Sequence, residues 1–460
     1  MAKLTLIHTN DLHSTLERWP YVAAVIKAEQ ARLVDAGMPH AYLDAGDFLD
    51  MSETLSYVSG GQVAVDLLAA VGCRALTPGN NEIWRMRPDE LSALASRAPF
   101  SWLAGNLLSD QREPLPGLQD WTMLNLSGLQ VAVVGLTELR HQTAPLYGLY
   151  QPPFPEPLAD SVRAARAAGA DLVVFLSHCG LREDREIAAT GIGVDAVIGG
   201  HSHQALLEPE VYGGVPVAQA GHLGQYVGVL ELEYEPVARR VTGWAGRLVP
   251  VDPAAVAPDP EALAILERHR QAAEERLSQV LTVLPEPLEH DPVGDSRLGA
   301  LLAEVLRRRA DAEIGLAVGC QIVHGFPAGP LTVGQVMSAF QALYQPTLQA
   351  VRGSNLKAML EQARDPALVT RPLVIGGQRP QGLPLGPIYA AGVSVTPEGD
   401  LLVNGEPLDP EREYMAGMPS LLGSGRCGYT ACEGNRFITA FVPEQARELM
   451  ASYFGGVRHA

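Results

Sequence analysis

Asp11, His13, Asp47, Asn80, His178, His201 and His203 offer carboxylate, amide and imidazole ligands and no thiolate. Such a set suits Mn, Fe, Zn, Co or Ni better than Cu(I) or an iron–sulfur cluster. Seven ligands are too many for one tetrahedral ion and about right for two, with one carboxylate bridging them. Two cations about 3.5–4 Å apart can clamp a phosphoryl group and make a hydroxide nucleophile near neutral pH. Each residue alone has a plainer reading. Asp11 and Asp47 would serve as turn residues or helix N-caps. Asn80 after Gly79 is ordinary turn chemistry, and His178 alone reads as a satisfied core histidine. The case rests on their shared placement.

That placement is at the ends of strands. His201 and His203 follow the apolar, β-branched run 194–198 and two glycines, Gly199 and Gly200. A run of this kind reads as a buried strand, and open α/β sheets collect their chemistry at strand C-termini. Residues 3–9 read as a strand that breaks into Asn10-Asp11-Leu12-His13, and residues 41–43 as one running into Asp44-Ala45-Gly46-Asp47. Residues 74–77 open onto Pro78-Gly79-Asn80-Asn81-Glu82, and the apolar run 172–176 ends at Ser177-His178. Helices are expected between them at 21–36, 62–71, 89–97 and 158–168, two of them closed by Gly37 and Gly72. Residues 122–126 and 130–136 flank Ser127-Gly128 as a hairpin. Residues 215–251 read as further strands. β/α alternation closed by antiparallel strands predicts a layered α/β sandwich.

The chain has 460 residues, 47% of them apolar, which suggests two or three domains. Residues 250–260 and 285–292 are breaks around a charged helix, 261–280, and a second α/β domain follows. The assignment is a catalytic domain at 1–255, a linker helix within 256–290 and a substrate domain at 291–460. Net charge is −18, with 34 Lys and Arg against 52 Asp and Glu, so a nucleic-acid polymer is an unsuitable partner. No apolar run is long enough to span a membrane, and the first residues do not read as an export signal. With five scattered cysteines, this gives the expectation of a cytoplasmic protein with reduced thiols.

Asn10-Asp11-Leu12-His13, Gly46-Asp47, Gly79-Asn80-x-Glu82, His178 and Gly200-His201-x-His203 together resemble the calcineurin-like metallophosphoesterases, and within them the 5′-nucleotidases. The opening Ile7-His8-Thr9-Asn10-Asp11-Leu12-His13 is similar to the start of that branch. The resemblance implies a four-layer αββα sandwich with a smaller C-terminal α/β domain. It implies two divalent cations, with Mn, Zn, Fe, Co or Mg as candidates. Asp11, His13 and His203 would hold the first, Asn80, His178 and His201 the second, and Asp47 would bridge them. Asn80 and Asn81 would donate to the phosphoryl group during metal-hydroxide attack.

Two departures from the family pattern stand out. Where the family has Gly-Asn-His followed by an acid three residues after the histidine, this chain has Asn81 and Trp84. Asparagine donates a hydrogen bond but delivers no proton near pH 7. General acid catalysis is worth about 10²–10⁴-fold, so its loss weakens a two-metal phosphatase without abolishing it. His222 and His141 are the candidate replacements. In the C-terminal domain, the family's Asn-Gly-Gly-x-Ile-Arg becomes Gly319-Cys320-Gln321-Ile322-Val323, and its later glycine loop becomes Gly425-Arg426-Cys427-Gly428-Tyr429. Arg426 is a candidate phosphate contact or else a solvated loop charge, and Tyr429, Tyr344 or Phe340 could stack on a base, with core packing as the default reading.

The expected activity is hydrolysis of nucleotides or related small phosphate esters. The alternatives are a phosphodiesterase acting on 2′,3′-cyclic nucleotides or nucleotide sugars, and a protein that binds metal and nucleotide with little turnover.

Overall fold

The computed structural model describes residues 2–138, 140–342, 344–374, 382–425 and 427–455. The chain divides into two compact units, Met1–Gln271 and Ala272–Ala460. The helix Pro260–Leu277 spans the division.

The first unit is built on two sheets. One has seven strands, in the spatial order Arg240–Pro250, Tyr226–Glu235, Ala2–Thr9, His40–Asp44, Cys73–Leu76, Ser101–Leu103, Leu118–Gln119. From Ala2–Thr9 onward the neighbours are parallel. The other has six strands, with Val215–Gln219, Ala196–Gly199, Leu172–Ser177 and Leu129–Leu136 parallel at its centre and antiparallel strands at both edges. The residues Leu172–Ser177 form a continuous apolar run because both faces are covered. Leu172, Val174 and Leu176 meet Leu4, Leu6 and Leu43 of the first sheet. Val173 and Phe175 point the other way, onto Leu158, Val162 and Ile187 of two helices. Each such fully buried side chain contributes about 1.5–3 kcal/mol of transfer free energy. The helix Trp19–Asp35 buries Val22, Ala23 and Ile26 on the outside of the first sheet. The layers therefore run helix, sheet, sheet, helix, as the resemblance implies.

Parallel strands within a sheet end at the same edge. The loops after Ala2–Thr9, His40–Asp44 and Cys73–Leu76 in one sheet, and after Leu129–Leu136, Leu172–Ser177 and Ala196–Gly199 in the other, therefore open on two adjoining edges.

The second unit has a five-stranded mixed sheet in the order Ile388–Ala391, Ile314–Val318, Glu413–Pro419, Pro346–Arg352, Arg436–Ala440. The helix Arg297–Arg309 packs on it, its first turn capped by Ser296 Oγ, which accepts from Gly299 N at 2.8 Å. Within the span 256–290, expected as a linker helix, the helix ends at Leu277, and Val280–Leu284 forms a strand paired with Gly329–Thr332. The helix Leu181–Ala189 carries little apolar periodicity: its sequence is strongly charged, and only Leu181, Asp184, Ile187 and Ala188 face inward.

One sequence expectation is corrected here. Tyr429 is fully buried in the core of the second unit, and its hydroxyl donates to Gly386 O at 2.6 Å. A tyrosine held this way packs the domain and has no face to offer a substrate. Phe340 and Tyr344 are likewise buried. Arg426 lies outside the described residues. All five cysteines are free and buried. No helix among the described residues is long and apolar enough to cross a membrane.

Candidate metal centre

The strand-end loops are tied to one another through their backbones. Asp11 N donates to Gly46 O at 2.8 Å, His13 N to Asp47 O at 2.9 Å, and Ser14 N to Phe48 O at 2.8 Å. This pairing bends the loops sharply: Asp11, His13, Asp47, His201 and His203 all have positive φ, at 52, 50, 52, 72 and 61°. For residues other than glycine that conformation costs of order 1–3 kcal/mol each, and such strain concentrates where function requires it. Glycine is essential where backbones crowd the site. A Cβ on Gly79 would lie 2.1 Å from Asp47 Oδ1, and one on Gly200 would lie 2.8 Å from Ala45 O.

Two groups of ligand atoms converge, Asp11 with His13 and His203, and Asp11 with Asp47 and His178, each within 4.8 Å. Asp47 also reaches both halves, with Oδ1 3.5 Å from His178 Nε2 and Oδ2 3.9 Å from His13 Nδ1. His13 Nε2 is 3.0 Å from His203 Nε2, and His203 Nε2 is 3.3 Å from Asp11 Oδ1. Asn80 Oδ1 lies 2.8 Å from His201 Nδ1, and the His178 and His201 rings meet edge-on with centroids 5.2 Å apart. All seven candidate ligands are therefore linked through short contacts into one cluster.

Supporting residues fix their orientation. Asp11 is buried and accepts from Asn10 Nδ2 at 2.7 Å and His201 N at 2.9 Å. His178 Nδ1 donates to Ala45 O at 2.6 Å. Glu82 accepts from Asp47 N, Leu49 N and Gly79 N at 3.1, 2.8 and 2.8 Å, so one buried carboxylate holds two ligand loops. Burial first, and then the Asp47 charge, push Glu82 up to about 8.

The donor set fits divalent cations. Burial pushes the Asp47 carboxyl up, but the His178 and His13 rings and the Asn81 N–H together hold it well below the usual range. Burial pushes His178 down, and Asp47, Asp11 and the Ala45 carbonyl outweigh that, raising it to about 10. The pocket thus favours positive charge beside its carboxylates. His178 Nε2 is a buried nitrogen with no hydrogen-bond partner, aimed at Asp47 while its other nitrogen is pinned by backbone. With Nδ1 committed to the Ala45 carbonyl, Nε2 is the nitrogen presented to the cluster, where a bound cation would take the place of its proton.

The remaining candidates divide. Asn81 Nδ2 lies 3.0 Å from both Asp47 Oδ2 and His13 Nδ1, inside the cluster. His222 stacks on His203, with centroids 4.8 Å apart and planes 4° apart, and its Nδ1 is buried without a partner. His141 is exposed, with Nδ1 against Gln151 O at 3.1 Å. Glu138 belongs to no motif in the sequence, yet its Oε1 is 3.6 Å from His201 Nε2. The available signal was its place just after the strand Leu129–Leu136, at the same edge as the ligands.

Residues 4–205 match the family model of the calcineurin-like phosphoesterases, and residues 279–434 that of the 5′-nucleotidase C-terminal domain. The metallophosphoesterase YunD of Bacillus subtilis (strain 168) is 26% identical over 469 residues, covering 98% of each chain. The crystal structure of a 5′-nucleotidase precursor from Thermus thermophilus superposes with a TM-score of 0.59 at 22% identity, covering 98% of this chain and 96% of that one. The NAD nucleotidase of Haemophilus influenzae superposes with a TM-score of 0.66 at 15% identity, covering 99% and 96%. At these identities the structures speak for the fold, while the first family match spans all seven candidate ligands. Residues 4–205 thus form a calcineurin-like phosphoesterase domain and residues 279–434 a 5′-nucleotidase C-terminal domain, families of metal-dependent phosphoric ester hydrolases.

Proposed function

We propose that this protein hydrolyses nucleotides or related small phosphate monoesters. Asp11, His13 and His203 would hold one cation and Asn80, His178 and His201 the other, with Asp47 within reach of both groups. The observation that carries this reading is the buried, unpartnered Nε2 of His178, 3.5 Å from Asp47 Oδ1 and oriented by the Ala45 carbonyl. Bound divalent cations supply Lewis acidity at the phosphoryl oxygens and lower the pKa of water.

The chain's own residues shape the rest. Asn81 directs an amide donor into the cluster, where it can meet a phosphoryl oxygen as negative charge builds. It has no proton to give the leaving group, so substrates with good leaving groups, or water as the acid, are favoured. The −18 net charge is compatible with a phosphate substrate because the cations offset it locally.

The test is a substrate panel with the purified protein and Mn²⁺, Co²⁺ or Mg²⁺, read as phosphate release. Release from nucleoside monophosphates supports the proposal. Turnover confined to bis(p-nitrophenyl) phosphate or 2′,3′-cyclic nucleotides replaces it with a diesterase. Mn²⁺ binding without hydrolysis of any activated aryl phosphate overturns both.

A further inference from the structure

Trp84 occupies the position of the acid that the family pattern would place there, and its indole is not idle. Trp84 Nε1 donates to Glu138 Oε2 at 3.0 Å, and Arg140 Nε donates to the same oxygen at 2.8 Å. The backbone around Glu138 is held by Gln151, a buried side chain whose Nε2 donates to Glu138 O at 2.8 Å and whose Oε1 accepts from Arg140 N at 2.6 Å. The Trp84 ring is itself packed against Tyr147, centroids 4.9 Å apart, with the Arg140 guanidinium 5.8 Å above it. The Glu138 side chain is 13% exposed and fixed at every joint.

What this scaffold leaves pointing outward is Oε1, 3.6 Å from His201 Nε2. The other nitrogen of that ring, Nδ1, lies 2.8 Å from Asn80 Oδ1, among the candidate ligand atoms. A histidine with one ring nitrogen in a metal cluster and the other facing a fixed carboxylate is held in one tautomer and one orientation, and its basicity as a ligand rises. Were Glu138 only a surface partner for Arg140, a forked contact using both oxygens would be the better geometry. Here both donors converge on Oε2, and Oε1 remains for His201.

We propose that Glu138 is a positioning residue for the metal ligand His201, and that Trp84 and Arg140 hold it in place. This rests on the reading of His201 as a ligand through Nδ1. In this view Trp84 is part of a rearranged support: the side chain at this position, expected to steady a catalytic histidine at 81, instead steadies the carboxylate that orients a ligand.

The test is Mn²⁺ binding to the full-length metal-free protein, followed by isothermal titration and by electron paramagnetic resonance. The wild type is expected to take up two ions. In Glu138→Ala one of the two should weaken by about 10–100-fold, the usual effect of removing such a partner, while the other is unchanged. Glu138→Gln, which keeps an acceptor oxygen, should recover part of the loss, and Trp84→Phe, which removes only the indole donor, should fall between. Melting of each metal-free variant identifies any that fail to fold, and Trp84→Phe with Glu138→Gln carries the test if Glu138→Ala is one of them. Wild-type affinity at both sites in the folded variants overturns the role of Glu138 alone. A wild type that binds fewer than two ions overturns the two-cation reading as well.

Discussion

Asn81 is bound to Asp47 twice, by its backbone N–H to Oδ1 at 2.8 Å and by its side-chain Nδ2 to Oδ2 at 3.0 Å. The carboxylate expected between the two cations therefore fixes the residue that stands where the family has its histidine. An asparagine held by two hydrogen bonds needs no separate acid to orient it. The losses at positions 81 and 84 are thus connected: once the histidine is gone its orienting partner has no task, and the indole is available to Glu138.

Asn81→His should restore a proton donor next to the leaving group. Its benefit depends on how poor that group is. For a nucleoside monophosphate, whose alkoxide leaves badly, kcat/KM should rise about 10-fold, a fraction of full general acid catalysis because nothing at 84 orients the ring. For p-nitrophenyl phosphate it should stay the same. Equal changes on both substrates would show that position 81 acts through binding alone.

Gly79→Ala should damage the centre through contact. The new Cβ would fall 2.1 Å from Asp47 Oδ1 and 2.6 Å from His178 Nε2, and neither atom can move without leaving the cluster. Mn²⁺ affinity should fall by at least about 10-fold, as for other disruptions of ligand orientation. Gly37→Ala is the control, since at φ +61° its Cβ meets nothing within 4 Å. It should cost about 1 kcal/mol of stability in urea and leave Mn²⁺ binding intact.

His222→Phe separates two roles for that ring. Its burial and the neighbouring His203 and His13 hold it below the ordinary histidine range, so little of it is protonated at neutral pH. Its parallel stack on His203 needs only an aromatic face. His222→Phe should keep activity within about 3-fold and leave the pH–rate profile unchanged, whereas loss of the alkaline limb would establish it as the proton donor.

The grouping of the candidate ligands is legible in the sequence because they lie at strand ends and keep recognisable neighbours. Asp11, His13, Asp47, His178, His201 and His203 each follow a strand with a clear apolar signature, and the structure gathers all of them. Glu138 was not legible: its role depends on Trp84, Arg140 and Gln151, which meet only in three dimensions. The helix Leu181–Ala189 hid for a related reason, since its few inward residues carry too weak an apolar period beside so many charges. Tyr429 admits base stacking and core packing alike from sequence, and its burial and bond to Gly386 O select core packing. In the second unit the motif resemblance was loose, and chemistry inferred from isolated residues there had no neighbouring signal to support it.

His8 makes a testable contribution to the pH dependence of stability. It lies in the strand Ala2–Thr9, is 1% exposed, and its Nδ1 has no hydrogen-bond partner. Burial lowers it from 6.5 to about 4, so the folded protein keeps the ring neutral where the unfolded chain would protonate it. Between those values the unfolded state binds more protons at this site, and the stability that His8 contributes falls as pH drops from about 6.5 toward 4. The full effect approaches about 3 kcal/mol. Three buried carboxyls work in the opposite direction: burial, chiefly, raises Asp44 and Asp184 to about 7 and Glu82 to about 8, so they lose stability as pH rises through the same range. The wild-type curve mixes both signs, and the comparison that isolates His8 is with His8→Phe, which keeps a ring and removes the titrating nitrogens. Urea midpoints at pH 7 and pH 5 should show the variant gaining on the wild type by about 1–2 kcal/mol at the lower pH. Parallel curves for the two proteins would mean that folding leaves the His8 pKa unchanged.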